Sequence, residues 1–253
     1  MPVIQQLYRY PIKGMTPQPL QMISVQTGQA IPFDRCIALA HSTTEFDPED
    51  PKHQHKTKYV MLMKNEKLAE LQVQFDENTG QIIIQQAGKI LIEGNLDEAE
   101  QKQALEMFFA DYLGDQVKGQ PKLIYADDPD HTFSDVDARV ISCINLASVQ
   151  DVEATLQQPV HPMRFRANVY FNGAPAWSEL DWVDKTFALG TAIVKVLKPI
   201  TRCAATNVNP ETAQRDLKIP NTLVKTYDHN YLGIYVQVVQ DGCLTVGDEF
   251  TVL

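Results

Sequence analysis

The residues in this chain best suited to chemistry lie in Lys198 to Glu211, K-P-I-T-R-C-A-A-T-N-V-N-P-E. Cys203 stands there beside Arg202, just beyond an apolar strand-like run from Phe187 to Leu197. Loops at the ends of strands are where a rigid scaffold carries binding and catalytic groups. A neighbouring cation favours the thiolate form of a cysteine, which attacks electrophiles and binds soft metals. The opposing reading is that Cys203 is a buried packing residue, the common fate of a lone cysteine. A second cluster is R-F-R-A-N-V-Y-F at Arg164 to Phe171. Its alternation predicts a strand with Arg164, Arg166 and Asn168 on one face. Guanidinium forks on one face make an anion cradle; the alternative is a set of salt bridges to acidic neighbours. His53 and His55 form an H-x-H pair, read either as metal ligands or as solvated loop histidines.

The whole chain sets bounds on these readings. Its 253 residues suffice for one large domain or two small ones. With 44 % hydrophobic and 21 % charged residues it has a globular composition. The net charge of −10, without a long Lys/Arg run, argues against a general nucleic-acid or anionic-membrane binder but leaves room for a local basic pocket. Cys36, Cys143, Cys203 and Cys243 include no C-x-x-C pair, which fits neither a disulfide scaffold nor a zinc or iron–sulfur segment. The first residues lack a signal-peptide pattern, and no apolar run approaches the ~18 residues of a membrane span. The expectation is a cytoplasmic protein. No G-x-G-x-x-G or P-loop is present, so no nicotinamide or nucleotide triphosphate site is expected.

The elements that must position these residues are mostly strands. Val3 to Tyr10, Leu20 to Val25 and Arg35 to His41 read as strands, the last covered on both faces. A long polar loop follows from Ser42 to Lys58, a length that within a compact domain is usually functional or mobile. Leu71 to Phe75 and Ile82 to Gln86 predict a hairpin, followed by a strand at Lys89 to Ile92. A helix capped by Asp97 and stopped by Gly114 carries Leu105, Phe108, Phe109, Tyr112 and Leu113 on its core face. The linker Gly114 to Pro121 is the best boundary, dividing the chain into 1–118 and 119–253. Beyond it come a strand at Lys122 to Tyr125, an acidic loop from Asp127 to Asp137, a strand at Arg139 to Leu146 and a helix at Ala147 to Leu156. Strands at Phe187 to Leu197, Gly233 to Val239 and Leu244 to Leu253 close the chain. Many short strands without βαβ alternation predict a mainly β, α+β fold built on barrels.

Six segments, in order, carry a family resemblance. They are Y-R-Y-P-I-K-G at Tyr8, F-D-R at Phe33, N-L-A-S-V-Q-D at Asn145 and R-F-R-A-N-V at Arg164. The last two are T-R-C-A-A-T-N-V-N-P-E-T at Thr201 and G-I-Y-V-Q-V-V-Q-D-G-C-L-T-V-G-D at Gly233. The chain resembles the molybdenum-cofactor-sulfurase C-terminal (MOSC) proteins that carry an N-terminal MOSC β-barrel domain, such as the mitochondrial amidoxime-reducing component. The resemblance implies an N-terminal β-barrel-like domain and a MOSC β-barrel domain with a molybdopterin molybdenum cofactor between them. It makes Cys203 the metal ligand, a role that suits a soft thiolate. It assigns cofactor contacts to Lys13, Arg35, Ser148, Arg166, Asn168 and Arg202. The implied function is a molybdenum-dependent reductase of N-hydroxylated compounds such as hydroxylaminopurines and amidoximes. Its electrons would come from a separate ferredoxin, flavodoxin or cytochrome. The alternative is a molybdenum-cofactor or sulfur carrier using Cys203 without turnover. Two departures bear on substrate scope: the loop Ser42 to Lys58 replaces a shorter family segment, and Gly14 stands where several relatives have serine.

Overall fold

The computed structural model describes residues 1–126, 128 and 131–253. The acidic loop expected from Asp127 onward therefore begins partly outside the described residues. The strands, in chain order, are β1 (Val3–Arg9), β2 (Gln18–Leu20), β3 (Met22–Val25), β4 (Ile37–Ala40) and β5 (Gln72–Asp76). They continue with β6 (Gln81–Gln86), β7 (Lys89–Asn95), β8 (Lys122–Tyr125), β9 (Ile141–Asn145) and β10 (Val169–Asn172). The last five are β11 (Thr186–Leu189), β12 (Ala192–Thr201), β13 (Tyr231–Gln240), β14 (Gly242–Thr245) and β15 (Phe250–Val252). Three α-helices accompany them among the described residues: α1 (Ala99–Leu113), α2 (Leu146–Leu156) and α3 (Ile219–Tyr227). The fold is mainly β with a few helices, as the strand-rich pattern predicts.

The main sheet has eight strands in the order β15-β11-β12-β13-β9-β10-β1-β2. Only β9 and β10 run parallel, and α2 lies in their crossover. The long β12–β13 ladder shifts register three times, which bends it. The approach to β15 then meets the start of β1: Ile4 N donates to Asp248 O and Phe250 N to Pro2 O, each at 2.8 Å. The sheet thus rolls round a core of alternating inward residues, including Leu7, Phe171, Phe187, Val196, Val236 and Phe250. A second core lies where α1 packs on the sheet β5-β6-β7 and the pair β4-β8, around Ile37, Leu39, Val73, Ile84, Phe109 and Leu123. All four residues of β4 are buried, consistent with a strand covered on both faces.

Hydrogen bonding between strands crosses residue 118. β1 pairs with β10, β3 with β14, and β8 with β4. Ile4 and Leu7 of β1 are buried in the barrel core, which draws the N-terminal strands into it.

Several local expectations change. The run Phe187 to Leu197 divides into β11 and β12, because Gly190 turns the chain with φ +59° beneath Asp248 and the Cys243 carbonyl. Leu20 to Val25 divides into β2 and β3, and Leu244 to Leu253 into β14 and β15. Helix α1 is preceded by Glu98, not capped by Asp97, and no side chain closes its N-terminus. Gly114 ends it as expected, with φ +52°. Asn145 caps α2, its Oδ1 accepting from Ala147 N at 3.1 Å.

The most consequential change is at Arg164 to Phe171. The strand begins only at Val169; Pro162–Phe165 is a 3-10 turn, and Arg166 adopts a left-handed conformation with φ +52°. The turn aims Arg164 and Arg166 in different directions where a strand would align them.

Candidate functional site

A cavity of about 370 Å³ draws its lining from both sides of residue 118. Lys13, Gly14, Asp34, Arg35 and Lys56 line it from one side of residue 118, and Asn168, Arg166, Arg202, Cys203 and Tyr235 from the other. Seven cationic side chains face it (Lys13, Arg35, Lys56, Arg164, Arg166, Lys198 and Arg202) against two carboxylates, Asp34 and Asp135. In a chain of net charge −10 this is a concentrated positive site, and it suits an anion.

The cations differ in what they have free. Arg35 bonds the Asp34 carboxylate and donates to Arg166 O at 3.1 Å; Asp34 also takes Tyr10 N at 2.8 Å. Lys13 donates to Phe133 O at 2.7 Å and to Asp135, which Lys56 also approaches at 3.8 Å. Burial lowers the Lys13 pKa; Asp135 opposes the shift, while Arg35 and Arg166 deepen it. Arg202 is buried, and its Nε donates to Leu232 O (2.8 Å) and Nη1 to Phe165 O (3.0 Å). These acceptors are carbonyls, so they hold the guanidinium without neutralising it. Arg164 is neutralised differently, in an ion pair with Asp216 at 2.7 Å and bonds to backbone carbonyls.

Arg164 keeps its buried Nε without a hydrogen-bond partner, and Arg166 is engaged still less. Its guanidinium lies 4.5 Å from the Tyr10 ring centroid, and its Nη2 is buried with no hydrogen-bond partner. Burial lowers its pKa and the adjacent Arg35 lowers it further, while Tyr10 opposes them. A buried donor left unsatisfied costs ~1–3 kcal/mol. A free buried N–H of this kind is one that an anion in the cavity could satisfy.

Cys203 opens the 3-10 turn Ala204–Asn207, where its own carbonyl accepts from Thr206 N (3.1 Å) and Oγ1 (2.9 Å). The residue is half-buried and lines the cavity. Two other thiols are poor nucleophiles: burial, then Asp34, pushes Cys36 up to about 12, and burial alone raises Cys143. The bland reading of Cys203 as a packing residue therefore fits Cys143 better. Among the described residues no three His, Cys, Asp or Glu side chains gather as a metal site, and His55 instead caps the turn Lys56–Lys58.

Of the residues expected at the site, Lys13, Arg35, Arg166, Asn168, Arg202 and Cys203 come together at the cavity. Asn168 faces it with its amide already engaged, Nδ2 to Tyr8 O and Oδ1 with Ser142. Ser148 does not join them. Its side chain is buried behind the wall, donating to Glu179 Oε1 at 2.7 Å and accepting from Trp177 N at 2.8 Å. The N-L-A-S segment puts Ser148 on the inner face of α2, which packs on β9 and β10, away from the cavity. Asp34, Asp135, Tyr10 and Tyr235 are not among the expected site residues; the segments F-D-R, Y-R-Y-P-I-K-G and G-I-Y-V hold Asp34, Tyr10 and Tyr235, but nothing local marks Asp135.

The MOSC domain model matches residues 128–251, and the second half of the chain is a MOSC domain. Over 124 residues the chain is 30 % identical to "Mitochondrial amidoxime reducing component 2" of Rattus norvegicus, covering 44 % of this chain and 36 % of that protein. It is 26 % identical over 163 residues to "Mitochondrial amidoxime-reducing component 1" of Xenopus laevis, covering 60 % and 46 %. The match thus spans less than half the length of these relatives. Similar solved structures include YiiM from Geobacillus stearothermophilus, at 22 % identity, 45 % and 53 % coverage and a TM-score of 0.35. The YUAD protein from Bacillus subtilis covers 100 % of this chain and 96 % of its own, at 12 % identity and a TM-score of 0.46. No helix among the described residues is long and apolar enough to cross a membrane.

Proposed function

We propose that the chain is a molybdenum-cofactor-dependent reductase of N-hydroxylated compounds, drawing electrons from a separate ferredoxin, flavodoxin or cytochrome-type protein. The observation that carries this reading is one cavity lined by both the Cys203 thiol and the unpartnered Arg166 guanidinium. A molybdopterin group bears a phosphate and soft sulfur donors, and the residues present fit both. Arg166 offers its free N–H to the phosphate, and Arg35, Lys13 and Lys56 supply positive charge around it. Cys203 gives the metal a thiolate, and the remaining donors come with the cofactor itself. When bound, the group supplies the two-electron chemistry that removes oxygen from nitrogen. The chain's part is to hold it. Arg202, locked by carbonyls, fixes the segment that presents Cys203. Met61, Leu62 and Met63 add apolar side chains to the cavity lining. Two domains divided near residue 118 and a cytoplasmic location complete the proposal.

The test is reduction of an amidoxime and a hydroxylaminopurine by molybdenum-loaded protein with a chemical reductant. Turnover supports the reductase. Failure with every N-hydroxylated substrate would sink it, and one added sulfur on Cys203 would favour a carrier.

A further inference from the structure

Glu179 and Ser148 lie behind the cavity wall and take no part in the cofactor contacts above. Glu179, in the 3-10 turn Ser178–Trp182, is fully buried. Its carboxylate accepts from Ser148 Oγ (2.7 Å) and Asn145 Nδ2 (3.0 Å), and the Gly233 amide lies near it. All of these groups are neutral. A carboxylate moved out of water without a cation carries a penalty of several kcal/mol.

Arg202 has the mirror-image problem: a buried guanidinium whose bonds go to the carbonyls of Leu232 and Phe165. The two share one group. The Leu232 carbonyl that receives Arg202 and the Gly233 amide that reaches Glu179 are the two ends of a single peptide. Its dipole points its positive end at the carboxylate and its negative end at the guanidinium. Gly233 permits this approach: its φ is +80°, and a Cβ there would lie 2.4 Å from Cys143 O and 3.3 Å from Arg202 Nη2. The turn bearing Glu179 packs against β13, where that peptide lies.

We propose that Glu179 is a positioning residue, the buried counter-charge of Arg202 acting through the Leu232–Gly233 peptide, which orients Arg202 and sets the field at the Cys203 sulfur. Ser148 then serves the cavity indirectly, by holding the carboxylate. Burial raises the Glu179 pKa, and hydrogen bonds led by that from Ser148 oppose the rise.

The experiment labels Cys203 in the full chain without cofactor, using iodoacetate and iodoacetamide separately, with the site read by peptide mass mapping. The two reagents have the same reach and differ in charge, so their rate ratio reads the local field and cancels changes in access or in thiolate fraction. Glu179→Gln keeps the shape and removes the charge; the iodoacetate-to-iodoacetamide ratio is expected to rise about threefold, as for the loss of one unit charge in a partly screened site. Ser148→Ala is expected to move the ratio the same way and less, and it carries the test should Glu179→Gln not fold. A purely structural Glu179 changes melting temperature and leaves the ratio alone. A ratio equal to wild type in the folded variant would overturn the proposal. Since the assay needs no cofactor, its failure would leave the cofactor reading untouched.

Discussion

Replacing Arg166 by Met is expected to stabilise the cofactor-free chain while costing it the cofactor. The wild-type residue leaves Nη2 buried and unpaired, at ~1–3 kcal/mol. Its charge also faces Arg35, whose repulsion the neighbouring Asp34 carboxylate partly offsets. Against this, the variant loses the cation–π contact with Tyr10, ~0.5–2 kcal/mol. The left-handed backbone costs Met as much as Arg, so that term cancels. The net gain is ~1–2 kcal/mol, or a melting temperature raised by ~2–8 °C in a chain of this size. With cofactor present the sign reverses: a hydrogen bond to a charged group contributes ~1.5–3 kcal/mol, so retention is expected to weaken roughly 10- to 100-fold. Thermal unfolding of cofactor-free protein and molybdenum content of protein from a cofactor-competent host read the two effects. A variant that melts lower without cofactor, or keeps wild-type molybdenum, would refute the view that Arg166 is held for an anion.

Further expectations follow from the thiols and imidazoles. At pH 8 iodoacetamide is expected to label Cys203 well before Cys36 or Cys143, whose thiols burial holds protonated; equal rates in mass mapping would contradict this. Burial lowers the pKa of His41, helped by Lys118, and of His131, opposed by Asp128. The unfolded chain then takes up protons first, so stability is full above about pH 6.5 and falls as pH drops below it. Melting temperature is expected to fall from pH 7 to 5.5, and less steeply in His131→Asn; identical slopes would rule out His131 as a source.

What was legible in the sequence depended on whether local chemistry or long-range packing decided the outcome. The hairpin β5–β6, the end of α1 at Gly114 and the cap of α2 at Asn145 are local, and turn and cap residues announce them. The Arg164 to Asn168 segment was misread because its polar–apolar alternation mimics a strand. Its real shape rests on Pro162 at the start of a 3-10 turn and a left-handed arginine that no glycine marks. Helix α3 was overlooked, although Pro220 at its start and the spacing of Ile219, Leu223 and Tyr227 were available signals. The pairing of β1 with β10 joins residues far apart in the chain, and local pattern does not encode it. At the site, the family resemblance brought forward the residues that gather round the cavity. Ser148, which it also assigned to the cofactor, bonds Glu179 instead of lining the cavity, because a hydroxyl on α2 can face either and only packing decides which.

The central claim is that Cys203 ligates molybdenum in this cavity. Metal analysis of wild type and Cys203→Ala, both made in a cofactor-competent host, tests it most directly. The account predicts about one molybdenum per chain in the wild type, a small fraction of that in the variant, and cooperative unfolding in both. Equal molybdenum in the two proteins, or full reductase activity in the variant, would contradict it.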